Sequence, residues 1–158
     1  MKKLIVVTSA LLALSAPLAS LAMDHEGHDM DHGGHGMKHS AKAAHEEVVD
    51  GVKATFNVQT MADAMKGMSM EMPKGMKETH HLSVLFKDAK SGTPLTEGTV
   101  TIKVQNPDKT AQTKDLMGMQ GHFGADFDFS GSGKYGVMCK FQLKDGKTRQ
   151  AKFWYSVK

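Results

Sequence analysis

From Val48 onward, apolar side chains recur at every second position in a series of separate runs, and this rhythm restricts the possible folds more than any other property of the sequence. Val52, Ala54, Phe56 and Val58 alternate with polar residues, as do Leu82, Val84 and Phe86, and then Val100, Ile102 and Val104. Phe123, Ala125, Phe127 and Phe129 alternate with His122, Gly124, Asp126 and Asp128. Tyr135, Val137, Cys139, Phe141 and Leu143 repeat the pattern, and Ala151, Phe153, Tyr155 and Val157 close it. Successive strand side chains point to opposite faces, so a period of two with one apolar face predicts half-buried antiparallel strands. Turn-forming clusters separate them: Ser91-Gly92-Thr93-Pro94, Asn106-Pro107-Asp108, Ser130-Gly131-Ser132-Gly133 and Lys144-Asp145-Gly146-Lys147. Asp145-Gly146 suits a tight hairpin between the last two strands. The expected fold for residues 48–158 is all-β: an immunoglobulin-like antiparallel β-sandwich of about seven strands. A small barrel is the other way to close such strands.

The first 22 residues follow different rules. Lys2 and Lys3 precede a run from Leu4 to Ala16 that is apolar except for Thr8, Ser9 and Ser15. Pro17 ends the run, and Ser20-Leu21-Ala22 supplies small residues at the −3 and −1 positions of a cleavage site. This is the pattern of a secretory signal peptide. Its apolar core of about 13 residues is too short to span a bilayer. No cysteine adjoins the cleavage point, which argues against a lipid anchor. The expected destination is a bacterial periplasm, with no membrane span after cleavage. Removing the signal takes away two lysines, so the formal charge of +3 for the whole chain falls to +1. Nothing in that balance suggests a nucleic-acid partner. The single cysteine, Cys139, cannot form an internal disulfide, and its place in the alternation predicts a buried, inert thiol.

Between signal and domain lies a segment with no aliphatic residue able to build a core. Residues 23–39 hold five of the nine histidines in a near repeat, Asp24-His25-Glu26-Gly27-His28-Asp29-Met30 and then Asp31-His32-Gly33-Gly34-His35-Gly36-Met37, followed by His39. Such a composition predicts a disordered tail, because no buried apolar surface offsets its chain entropy. Residues 40–47 read as a polar spacer with transient helical character. Imidazole suits copper, nickel and zinc, whereas thioether sulfur is soft and favours Cu(I). The tail donors are therefore Met23, His25, His28, Met30, His32, His35, Met37 and His39. If cleavage follows Ala22, the mature chain begins Met23-Asp24-His25. Its amine, the amides of Asp24 and His25 and the His25 imidazole then form a square-planar set typical of Cu(II) or Ni(II).

A second group of soft donors sits in the domain. Met61, Met65, Met68, Met70, Met72 and Met76 are interrupted by Gly67, Pro73 and Gly75, a stretch without core periodicity. In an extended conformation Met68, Met70 and Met72 project to one side. His80 and His81 open the next strand, His80 in phase with Leu82 and His81 out of phase. Met117, Met119 and His122 precede another. Gathered at one end of the sandwich, these residues would form a Met/His pocket suited to Cu(I), although methionine also serves as adaptable core filling. Asp126 and Asp128 read as solvated strand acids, and Trp154 as a cover for the second face or a contact surface.

The stretch Leu116-Met117-Gly118-Met119-Gln120-Gly121-His122-Phe123-Gly124-Ala125-Asp126-Phe127, with Gly133-Lys134-Tyr135 and Thr79-His80-His81-Leu82-Ser83-Val84, resembles the YtkA-like family of small exported β-sandwich domains. The resemblance spans residues 48–143 and implies a sandwich related to those of periplasmic copper-handling proteins. It implies no reaction, and the sequence contains no Ser/His/Asp set, no phosphate-binding Gly-rich loop and no HExxH.

The expectation is a non-enzymatic periplasmic metal-binding protein, with copper as the metal and nickel or zinc as the other ions its histidines suit. It would serve copper tolerance or delivery to a periplasmic acceptor, an efflux pump or an oxidase assembly factor. The competing expectation is a metal-independent interaction module with an incidental tail. Deleting residues 23–39 should abolish the square-planar Cu(II) absorption of the mature protein. Persistence of that absorption in the shortened protein would contradict the terminal chelate.

Overall fold

The computed structural model describes residues 42–158. The signal segment and the tail donors from Met23 to His39 lie outside the described residues. Nine strands and one helix follow in chain order: β1 His45–Val49, β2 Val52–Thr60, α1 Met61–Gly67, β3 His80–Asp88, β4 Gly98–Gln105, β5 Ala111–Asp115, β6 Met117–Met119, β7 His122–Phe127, β8 Gly133–Leu143 and β9 Thr148–Val157. They form a five-stranded sheet in the order β1-β2-β3-β7-β6 and a four-stranded sheet in the order β5-β4-β8-β9. Every pairing is antiparallel. Among the described residues, no helix is long and apolar enough to cross a membrane.

The alternation read from the sequence becomes one interior shared by both sheets. Ala54, Phe56, Leu82, Val84, Phe86, Phe123 and Phe127 from the first sheet meet Val100, Ile102, Val104, Val137, Cys139, Phe141 and Phe153 from the second. Phe86 stacks on Phe141 with ring centroids 4.4 Å apart, and Phe56 meets Phe153 at 5.0 Å. This face-to-face packing of apolar side chains defines a sandwich. Cys139 is fully buried within it, and burial pushes its thiol up to about 12. Since the thiolate is the reactive and metal-ligating form, this cysteine is inert.

The structure has more strands than the seven or so expected. β1 begins at His45, inside the stretch read as a helical spacer, and its alternating exposure is that of an edge strand. β5 and β6 are short edge strands, and all three residues of β6 are exposed. Without a buried face, neither leaves an apolar period in the sequence. The Met-rich stretch that lacked core periodicity begins as α1. Thr60 caps it, accepting from the Asp63 amide at 3.1 Å and donating to the Asp63 carboxylate at 2.7 Å. Met61, Ala64 and Met65, at the spacing of one helical face, are its buried residues.

Two further contacts fix the ends of the sandwich. Gln112 on β5 clamps the backbone beyond β7, donating to the Asp128 carbonyl at 2.7 Å and accepting from its amide at 2.9 Å. At the β8–β9 turn, the buried Arg149 guanidinium forms a two-pronged pair with Asp145, at 3.0 and 2.6 Å. That pairing holds the Asp145 carboxyl at about 2, below its ordinary 3.8. A carboxyl whose folded value is depressed stabilises the fold above its unfolded value and loses that contribution as pH falls. Asp145→Asn should therefore lower the melting temperature at neutral pH and flatten the decline that the parent shows between about pH 4 and pH 2. An unchanged acid-range profile would show that the pair contributes nothing.

Candidate metal centre

The site is built by strand register. β3 and β7 pair with His81 opposite Asp126 and Ser83 opposite Gly124. β6 and β7 pair with Met117 opposite Gly124 and Met119 opposite His122. Paired residues share a face, so His81, Asp126, Gly124, His122, Met117 and Met119 all lie on one side of the sheet. It is the outer side, turned away from Leu82, Val84, Phe123 and Phe127. Between β6 and β7 the chain reverses through Gln120 and Gly121, whose φ angles of 38° and 90° suit a two-residue hairpin turn. That turn sets Met119 and His122 side by side.

His81 is oriented by a carboxylate. Its Nδ1 lies 2.7 Å from Asp126 Oδ1. A carboxylate only accepts, so the neutral imidazole donates from Nδ1 and presents the lone pair of Nε2. Histidines that bind metals are commonly held this way, through the nitrogen that does not bind. Nε2 lies over Gly124, 2.8 Å from where a Cβ on that residue would stand. The Met119 methyl is 3.0 Å from the same point, so the imidazole edge and the end of the Met119 side chain meet above a residue that has no side chain. The His122 ring stands at right angles to His81, with centroids 6.5 Å apart. His122 is only 9% exposed and Met119 38%, whereas Met117 is 73% exposed at the rim.

The outer face is covered on its other flank. Asn57, which faces outward on β2, and Ser83 are nevertheless buried. α1 packs against β2 and β3 here, and its first amide donates to the Thr79 carbonyl at 2.8 Å. Met61, Ala64 and Met65 are buried, yet none belongs to the cluster between the sheets. They form a second, smaller apolar layer on the outside of the five-stranded sheet.

The other domain residues singled out by sequence are placed elsewhere. His80 lies on the interior side, its ring edge-on to Phe129 at 5.3 Å and to Tyr155 at 6.3 Å. Its Nδ1 is 2.8 Å from Thr79 Oγ1, and burial holds its pKa below the ordinary value despite the opposing charge of Asp128. The sheet thus separates His80 from His81. Met68 caps α1, and both its amide and that of Met70 bond to the Met65 carbonyl. Ser69 between them has a φ of 54°. The segment is therefore a turn, and not the extended ladder that would align Met68, Met70 and Met72. All three are exposed. Sequence reasoning missed Asp126, whose partner is 45 residues away, and the empty position at Gly124. It also missed Met61 and Met65 as a helical pair, although the Thr60-x-x-Asp63 cap announces that helix.

Among the described residues no three His, Cys, Asp or Glu side chains converge on a metal position. What this face offers is a mixed set of imidazole and thioether donors. Gly124, with no side chain, lets the His81 ring edge and the Met119 methyl lie close over the strand, and the donor set has the softness that suits Cu(I).

No family model and no curated protein sequence matches the chain. Solved structures do share its fold. FetP of a uropathogenic Escherichia coli strain, recombinantly expressed in the periplasm of E. coli, superposes with a TM-score of 0.57 at 15% identity, covering 73% of this chain and 93% of FetP. A copper-bound variant of that FetP gives 0.57 at 14% identity, covering 73% and 90%. A DUF4426 family protein from Pseudomonas aeruginosa PAO1 gives 0.55 at 14% identity, covering 72% and 96%. At such identities the likeness is one of fold.

Proposed function

We propose that this is an exported periplasmic copper-binding protein that serves copper tolerance or delivery and catalyses no reaction. The observation that carries the reading is the convergence of His81 Nε2 and the Met119 methyl over Gly124, with Asp126 fixing the imidazole from behind. His122 adds a second imidazole beside them. In this reading the folded domain holds Cu(I) at His81, Met119 and His122, with Met117 at the rim. The tail captures Cu(II) through its histidines and, after cleavage at Ala22, through Met23-Asp24-His25. The copper-bound FetP variant, which shares the fold, supports copper as the cargo, and the periplasmic expression of FetP supports the compartment. The resemblance of residues 79–84 and 116–127 to YtkA-like domains belongs to the same reading. A periplasmic acceptor, an efflux pump or an oxidase assembly factor would receive the ion.

A Cu(I) competition titration against a chromophoric chelator, using the mature protein without residues 23–39, tests the domain site. His81→Ala and Met119→Ala should each weaken binding at least tenfold. Asp126→Asn should weaken it by about 10- to 100-fold, the usual cost of losing the group that orients a metal-binding histidine. His80→Ala and Met70→Ala should leave it unchanged. Equal affinities across all five variants would refute the site.

A further inference from the structure

The second sheet presents a face of a different kind. The outward positions of its three longest strands are Thr99, Thr101, Lys103 and Gln105 on β4, Lys134, Gly136, Met138, Lys140 and Gln142 on β8, and Thr148, Gln150, Lys152, Trp154 and Ser156 on β9. None of these is a carboxylate. On the neighbouring β5, Asp115 accepts a 2.6 Å hydrogen bond from Thr101. Lys103, Lys134, Lys140 and Lys152 take part in none of the ion pairs among the described residues. Two of these lysines, Lys103 and Lys152, lie beside Trp154, which is 69% exposed and is the only tryptophan in the chain.

The indole does not project from this face. Trp154 pairs with Gly136, and its six-membered ring lies across that residue, with Cζ3 3.2 Å from where a Cβ would stand. A glycine at this position lets the ring lie down. The flattened ring walls a groove of about 280 Å³ whose other sides include Lys103, Gly136, Met138 and Lys152. An aromatic anchor beside a cavity, inside a charged rim, is the usual anatomy of a protein-docking hot spot. A membrane-binding face would need apolar side chains that protrude into lipid, whereas here the one large apolar group lies flat beside a hollow.

We propose that the outer face of β4, β8 and β9 docks an acidic segment of a partner protein. An aromatic side chain of that segment sits in the groove against Trp154, and its carboxylates meet Lys103 and Lys152. This face belongs to the opposite sheet from His81, so docking leaves the copper-binding side of the sandwich open. The proposal does not depend on copper binding.

Trp154 reports its own occupancy. The metal-free mature protein would be titrated with the peptide Glu-Asp-Phe-Asp-Glu, with Gln-Asn-Phe-Asn-Gln and with phosphatidylglycerol vesicles while tryptophan emission is followed. The expected result is a saturable blue shift with the acidic peptide alone, weakened by high salt. The double variant K103E/K152E should weaken it about tenfold through like-charge contacts at the rim, with its melting temperature and circular dichroism unchanged. An equal response to the neutral peptide, a response to vesicles in place of the peptide, self-association that buries Trp154 without any peptide, or no response at all would each overturn the proposal.

Discussion

β3 pairs with β7 in a single register, and both the core and the candidate site depend on it. With His81 opposite Asp126 and Val84 opposite Phe123, the apolar set of β3 faces the interior and its polar set faces out. A slip of one residue would turn every side chain of β3 to the other face. Leu82, Val84 and Phe86 would leave the interior, Ser83 would enter it, and His81 would lose Asp126. The burial that stabilises the sandwich therefore also aims the imidazole. His81 and Asp126 are placed by β3 and β7, which the core holds through Phe86 on Phe141 and Phe86 on Phe123, while the Gln120-Gly121 turn sets Met119 beside His122.

The chemistry of the face follows from what each neighbour leaves available. Asp126 occupies Nδ1 of His81, so only Nε2 can reach an ion. Gly124 has no side chain where Nε2 and Met119 converge. Thioethers complete the set, and the one thiol of the chain is sealed in the core with its pKa at about 12. A site of imidazole and thioether favours a soft monovalent ion over a hard one. The sandwich then has two outward faces of opposite character: soft donors beside an apolar helix on one sheet, and lysines around a flat indole on the other.

Much of this was legible in the sequence because a buried strand face writes itself as alternation. Val52 to Val58, Leu82 to Phe86 and Tyr135 to Leu143 all lie where the pattern put them, and Cys139 is buried as its phase required. β1, β5 and β6 were illegible, since edge strands with a solvated or fully exposed face need no apolar period. His81 and His80 could be assigned to opposite faces by phase alone. The partner of His81 could not, because Asp126 meets it through a pairing between strands, 45 residues apart, and local spacing carries no trace of it. The methionines misled for a related reason. Alternate spacing suggested a ladder at Met68, Met70 and Met72, whereas the cap at Thr60 starts a helix that ends in a turn at those residues.

The central claim is that the outer face of the five-stranded sheet, and not the methionine turn, binds the soft ion. Site-resolved NMR of the mature protein without residues 23–39, labelled at methionine methyls and histidine nitrogens, tests it most directly as Cu(I) is added. The account predicts that His81 Nε2, the His122 ring and the Met119 methyl shift together and saturate at one equivalent. The His80 nitrogens and the methyls of Met68, Met70 and Met72 should stay in place. Shifts confined to those three methyls, with His81 and Met119 unmoved, would contradict it.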